Sequence, residues 1–412
     1  MSSMKSTSPR GLLPVLALGA LALAGCASNA PQDTWKPAGP NAQQIHDLQW
    51  PIFLIAGVVG VIVFAVVLVI IFKFKDRGQP IPEQTHGKAW LEYIFIALPA
   101  LLLAIIAVPT VSTVIALNKT DDADCFVNVT GQQWWWEYDY PVDAAGNICG
   151  FTPNNQAAPI VTSGQMVIPT DTNVIIRTTS RDVIHSFWIP KLNGKRDVVP
   201  GRVHTWRLEA SRPGIFAGQC AEFCGLSHAN MRMEVVALDP ADFQVWLDNQ
   251  LEPYARPDDD DTLAARGEQT FIQQCARCHQ VDGLVDADGA LVISQPEQFV
   301  YAGAAPNLTN LMTRNTFAGA TWDLLTADCR ERVWDPDLDP AEFGKLYLEG
   351  VSAECLNEIE LKEWLRDAPA KKPMYADATQ LAETDGMVRG MPYLALSEDQ
   401  LNELVAYLLE RK

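Results

Sequence analysis

The chain has 412 residues, 48% of them apolar, with nine cysteines and a formal net charge of -19. That length suits two or three domains. The acidic balance argues against nucleic acid as a partner and leaves basic proteins, or plain solvation, to account for the acidic surface. Mean hydropathy near zero conceals an asymmetry, because the apolar residues gather towards the N-terminus.

The opening segment, MSSMKSTSPRGLLPVLALGALALAGC, places Lys5 and Arg10 before an apolar run from Gly11 to Ala24 and ends in Leu23-Ala24-Gly25-Cys26. Such a run is short for a membrane span, and small residues before a cysteine match a bacterial lipoprotein signal. Residues 1–25 are then a signal peptide and Cys26 carries lipid. The blander reading is an ordinary signal peptide with an incidental cysteine. Residues 26–49 form an exported N-terminal segment. Trp50 to Phe72 carries no charge, and Trp90 to Leu117 carries only Glu92, with Pro99 and Pro109. Both are long enough to cross a bilayer, so residues 50–117 are expected to hold two transmembrane helices. The loop over 73–89 contains Lys73, Lys75, Arg77 and Lys88, the positive-inside signature of a cytoplasmic loop. Both termini, and everything after about residue 118, then lie on the extracytoplasmic side of a bacterial cell membrane.

Residues 118–240 alternate in short β-branched runs, FVNVTGQQWWWEYDYP, MVIPTDTNVIIRTTS, VHTWRLEA and MRMEVVAL, separated by DAAGN and RPG. Many short strands with turn signals predict an antiparallel sandwich or barrel. Residues 241–262 read as a short helix, ADFQVWLDNQL, and a Pro/Asp-rich linker ending in Asp258 to Asp261. Over 263–412 the periodicity becomes helical, from LAARGEQTFIQQ to SEDQLNELVAYLLERK with Ser397 as N-cap, which predicts an all-α domain.

Twelve residues of the β region, CAEFCGLSHANM, hold Cys220, Cys224, His228 and Met231. The two thiols could form a disulfide, but that leaves the imidazole and thioether unexplained. Thiolate, imidazole and thioether together select copper over hard cations, although ligand type alone leaves tetrahedral zinc open. A single blue copper takes one cysteine; two cysteines can bridge a second ion, which needs another histidine, and His185 in IHSF supplies it. Cys220 and Cys224 then bridge, His185 and His228 each terminate one copper, and Met231 and the Glu222 carbonyl are weak axial ligands.

The second motif is Cys275-Ala-Arg-Cys-His279. Cys-x-x-Cys-His is the attachment site of a c-type haem, in which the thiols of Cys275 and Cys278 add to vinyl groups and His279 ligates iron; a redox or zinc CxxC is the alternative. The order of helix, CARCH, Ala305-Pro306-Asn307-Leu308, methionine and final helix resembles a class I cytochrome c. A thioether sixth ligand raises the haem potential. Met312, Met374, Met387 and Met391 are available. The Met-Pro usual in that family before the last helix selects Met391, with Met374 next. In an oxidising compartment the remaining cysteines pair, and nearness in sequence couples Cys125 with Cys149 and Cys329 with Cys355. Residues 320–370 exceed the usual length of such a domain and have no assigned role.

VIHSFWIPKLNGKRDVVPGR, FAGQCAEFCGLSHANM and GQQWWWEYDYP resemble subunit II of haem-copper cytochrome c oxidases over roughly residues 40–240. With its fused cytochrome c, the chain is similar to the caa-type. The resemblance implies a cupredoxin-like β sandwich and a dinuclear copper A centre. It also implies a Glu222 side chain reaching magnesium at the contact with subunit I, and Trp134 as the residue through which electrons enter. Glu92 matches the mouth of a proton channel; interfacial solvation is the bland alternative. Gln132 stands where the family often has His. The implied partners are subunits I and III and an upstream donor such as a cytochrome bc complex. The expectation is a subunit that feeds electrons from haem c to copper A and on to the oxygen-reducing subunit I. The alternatives are the copper A subunit of a nitric oxide or nitrous oxide reductase, or a non-redox copper-binding lipoprotein.

Overall fold

Two helices, α1 (Pro40–Lys73) and α2 (Ala89–Leu117), are long and apolar enough to cross a membrane. Phe64, Ile94 and Phe95 stand exposed on them, which lipid accommodates and water does not. The computed structural model describes residues 30–412 except 79, 81–82, 84–85, 121–122, 156, 258–260, 287, 293–304 and 377–388. The signal segment with Cys26, and Met387, lie outside the described residues. Helix α1 begins at Pro40, well before the apolar run that starts at Trp50. Its polar first turns dock on the β domain: Ala38 and Ala42 donate their amides to Lys191 O (2.8 Å) and Leu192 O (3.1 Å). Tertiary contact, which hydropathy does not register, extends the helix.

The β domain is a sandwich. One sheet has the order β3-β2-β1-β5-β8, made of β1 (Cys125–Gln132), β2 (Trp135–Tyr140), β3 (Ile160–Ser163), β5 (Val174–Ser180) and β8 (His204–Leu208). The other has the order β4-β10-β9, made of β4 (Gln165–Pro169), β9 (Gly214–Gln219) and β10 (Arg232–Leu238). A hairpin of β6 (His185–Trp188) and β7 (Lys195–Val198) completes it. Strand alternation turns Val127, Val129, Trp136 and Tyr138 inward against Met166, Ile168, Phe216 and Val235, all buried. The pairing is not wholly antiparallel, because β1 runs parallel to β5 and β4 parallel to β10. Sequence alternation reports which face is buried and carries no record of strand direction.

Helix α3 (Pro240–Gln250) leads to α4 (Leu263–Gln274), which crosses the last helix (Glu398–Leu409). A Cβ at Gly267 would stand 2.0 Å from Glu403 O, so the crossing is as close as it is because Gly267 has none. Phe271 and Tyr407 pack beside it, their rings tilted and 5.3 Å apart between centroids. Ser397 and Gln400 form a capping box, a device worth about 1 kcal/mol. Residues 316–371 add a hairpin (Thr316–Phe317 with Trp322–Asp323) and helices over Ala327–Val333, Pro340–Leu348, Glu358–Arg366 and Ala368–Lys371. They lie against the sandwich. The buried guanidinium of Arg314 donates to Ser163 Oγ and Asn307 O, both at 2.8 Å. Asn315 N donates to Gln165 Oε1 at 2.9 Å, and Thr321 Oγ1 to Asn230 O at 2.7 Å. Cys125 is bonded to Cys149, and Cys329 to Cys355.

Candidate metal centre

The loop joining β9 to β10 leaves an antiparallel ladder and returns to it. The Gln219–Arg232 register and the Cys220 N to Met231 O bond (2.9 Å) pinch its base. Ala221 N to Ser186 O (3.0 Å) ties the loop to β6, whose first residue is His185. These backbone bonds bring together the donors of two separate segments. Cys220 and Cys224 place their sulfurs 3.7 Å apart, far beyond a disulfide bond. Cys224 Sγ lies 3.6 Å from His228 Nδ1 and 3.7 Å from Met231 Sδ, and Cys220 Sγ lies 3.3 Å from Glu222 O. Ligand atoms of His185, Cys220 and Cys224 fall within 4.8 Å of one another, and all three residues are buried.

The orientation of His185 shows whether this cluster suits a metal. Its Nε2–H donates to Asp182 Oδ1 at 2.8 Å, while buried Nδ1 has no hydrogen-bond partner. An orphaned imidazole nitrogen beside two sulfurs, with its tautomer set by a carboxylate behind it, is the arrangement metal-binding histidines use. Electrostatics agree. The Cys224 thiol, then the His185 ring, pull the Cys220 thiol down to about 4 against the opposing effect of burial. The same thiol pair pushes Cys224 up. Burial works against a charged His185, yet Asp182 and Cys220 outweigh it and raise its pKa.

Glu222 turns its carbonyl to the thiol and leaves its side chain exposed, beside Phe223, which is 75% exposed. Trp134 is only 2% exposed. Its Nε1 and Gln133 Nε2 both donate to Cys224 O, at 3.0 and 2.9 Å. Glu92 sits in the first turn of α2, remote in the chain from this cluster.

The CARCH segment continues α4. Cys275 N bonds to Phe271 O at 2.8 Å and His279 N to Cys275 O at 2.9 Å, and both thiols are unbonded. His279 Nδ1 donates to Pro306 O at 2.7 Å, which leaves the Nε2 lone pair available, and burial lowers the ring's pKa so that it stays neutral. Met391 is half-buried, and Met374 is buried so close to Gly390 that a Cβ there would meet its Cβ at 2.5 Å. Met312 is fully buried, and its carbonyl accepts from Val351 N at 2.7 Å.

Sequence reasoning missed Asp182 and Gln133. Asp182 had a signal, a carboxylate three residues before a candidate ligand histidine. Gln133 had none, since its bond to Cys224 O joins segments far apart in the chain.

Two stretches of the chain match family models for cytochrome c oxidase subunit II: the transmembrane domain over residues 29–113 and the periplasmic domain over residues 125–238. Cytochrome c oxidase subunit 2 of Alkalihalophilus pseudofirmus is 35% identical over 297 residues, 70% of this chain and 82% of that protein. The chain belongs to the cytochrome c oxidase subunit II family. The subunit 2 of Bacillus subtilis is 30% identical over 378 residues, 83% of this chain and 98% of that protein. A crystal structure of the periplasmic domain of subunit II from Bradyrhizobium japonicum covers 32% of this chain and 96% of its own, at 28% identity and TM-score 0.28. As a subunit II, this chain is part of an oxidoreductase complex, and membership implies a copper A centre. The donor set around Cys220 and Cys224 fits that centre.

Proposed function

We propose that this chain is the subunit through which electrons enter a terminal oxidase, passing from a covalently held haem c to a dinuclear copper A and on to a haem-copper subunit I that reduces oxygen to water. The observation that carries the reading is the juxtaposition of orphaned His185 Nδ1 with two sulfurs 3.7 Å apart in a chain that also bears CARCH. When bound, the two centres supply one-electron chemistry that no side chain here can provide. Cys220 and Cys224 would hold the two coppers with their thiolates, His185 and His228 with their imidazoles, and Met231 and Glu222 O with a thioether and a carbonyl. Cys275, Cys278 and His279 would hold the haem, with Met391, directly before Pro392 and the last helix, as sixth ligand.

Further roles belong to the same reading. Trp134, bonded to Cys224 O, lies where electrons would approach the copper loop. The exposed Glu222 carboxylate would reach magnesium at the contact with subunit I, and Glu92 would stand at a proton-channel mouth. Cys26 would carry lipid, both metal domains would lie outside the bacterial cell membrane, and subunit III and a cytochrome bc complex would be partners. Membership of the subunit II family weighs against the non-redox copper-binding lipoprotein and favours the oxidase over a nitric oxide or nitrous oxide reductase.

The test is low-temperature EPR with copper and haem counts on the detergent-solubilised full chain. A mixed-valence signal shared over two coppers, with one covalent haem per chain, is the expected result. A single-copper signal, or zinc in the loop, would overturn the copper reading; absence of haem would overturn the fused cytochrome.

A further inference from the structure

The C-terminal domain reaches the shell of groups behind the copper ligands. Lys372, buried, donates Nζ to Trp134 O and Ala318 O, both at 2.8 Å. Pro373 O accepts from Ser227 Oγ, in the loop that carries His228. The Tyr375 ring lies 5.4 Å from that of Trp134. Arg389 pairs with Tyr375 through a backbone bond, Arg389 N to Tyr375 O at 2.8 Å, so Lys372–Tyr375 and Arg389 form one clamp. Arg389 Nη1 stands 3.6 Å from Asp182 Oδ2, and both side chains are largely buried. That carboxylate is the one that holds His185: Oδ1 accepts from His185 Nε2 at 2.8 Å, and Oδ2 from Gln133 N at 2.7 Å.

We infer that Arg389 is a positioning residue for the copper centre, supplied by the C-terminal domain and acting through Asp182 on the orientation of the His185 ring. The inference rests on the copper reading above. A guanidinium beside a carboxylate in a largely buried site fixes that carboxylate's rotamer, and the carboxylate fixes the imidazole whose other nitrogen faces the metal. A group bonded directly to a ligand, as Asp182 is to His185, typically changes affinity 10- to 100-fold when removed, and Arg389 stands one contact further out. Arg389 is also two residues from Met391. Undocking of the C-terminal domain would therefore change the copper site's own properties as well as the distance to it. Trp134, Gln133 and Asp182 form the copper domain's half of this contact, and Lys372, Tyr375 and Arg389 form the other half.

The test compares Arg389→Gln, Arg389→Lys, Asp182→Asn and the double variant Arg389→Gln/Asp182→Asn in the full chain in detergent, reading the copper EPR hyperfine pattern and the copper midpoint potential. Arg389→Gln should alter the hyperfine pattern and shift the reduced-to-oxidised ratio several-fold, since Asp182 is no longer held and the His185 ring it orients is freed. Arg389→Lys should restore most of it. In the Asp182→Asn background Arg389→Gln should add nothing, because the link it acts through is already cut. Unchanged spectra and potential in Arg389→Gln, or an equal effect of Arg389→Gln with and without Asp182, would overturn the inference. If the parent chain itself shows no two-copper signal, it is the copper reading that fails. Haem absorbance and thermal unfolding of each variant separate a local effect from loss of the fold; a signal change accompanied by loss of the haem spectrum counts against the inference.

Discussion

Two pairs of unbonded cysteines in this chain meet opposite environments. Cys220 and Cys224 face each other across 3.7 Å, with the His228 imidazole 3.6 Å from Cys224, and Cys220 is pulled down to about 4. Cys275 and Cys278 sit at the end of a helix with the local histidine turned away to Pro306 O; burial, reinforced by Cys278, pushes Cys275 up to about 12, and burial raises Cys278 as well. One pair is poised as a thiolate ligand, the other as neutral thiols suited to covalent addition. Spacing announces that the pairs differ, but the neighbouring groups decide the chemistry: a thiolate needs donors or positive charge around it, and at Cys278 burial outweighs the neighbouring Arg277 and keeps the proton on sulfur.

The largest effect is expected from Cys224→Ser, which removes one of the two sulfurs proposed to hold the coppers. Copper should fall from two per chain to one or none and the shared hyperfine pattern should vanish, while the haem spectrum persists; retention of two coppers would break the contrast. Next comes a thiolate titration of the copper-free chain. Ultraviolet thiolate absorption should persist on acidification until the pH approaches about 4, disappear in Cys220→Ser and be indifferent to Cys275→Ser. The bonded pairs sharpen the comparison. The Cys125–Cys149 bridge spans 24 residues, so replacing both with serine should cost about 3 kcal/mol, read as a lower Tm of the β domain with copper still bound; an unaltered Tm would speak against the bond. The smallest effect lies at the seam between the two regions. Burial raises Glu234 to about 7 from the ordinary 4.5. With its folded pKa raised, its contribution is whole below about 4.5 and is lost as pH rises through about 7. Glu234→Gln should therefore match the parent near pH 4.5 and exceed it at pH 9 by roughly 1–3 kcal/mol, and equal Tm offsets at both pH values would sink the idea.

Much of the site was legible because its donors are local. Cys220, Cys224, His228 and Met231 sit in one short loop, and a loop between neighbouring antiparallel strands can bring its own residues together without help. His185 was recoverable only because copper chemistry demanded a second imidazole. The membrane helices were legible as apolar runs, but the start of α1 at Pro40 depended on docking to Lys191 and Leu192. Residues 320–370 carried no readable role; the structure lays them and their neighbours on the sandwich through Asn315–Gln165 and Thr321–Asn230.

Taken alone, the sequence determined the order of the parts and the identity of their chemistry, since hydropathy, strand alternation and ligand spacing are short-range properties written residue by residue. It determined too that two sets of thiols would serve two ends. Only the tertiary structure decided the parallel pairings β1–β5 and β4–β10, the orientation of His185 by Asp182, and the burial of Trp134 under Lys372 and Tyr375. Those are contacts between segments far apart in the chain. Their partners are selected by shape and charge at the moment of packing, and no local pattern records which distant residue will arrive.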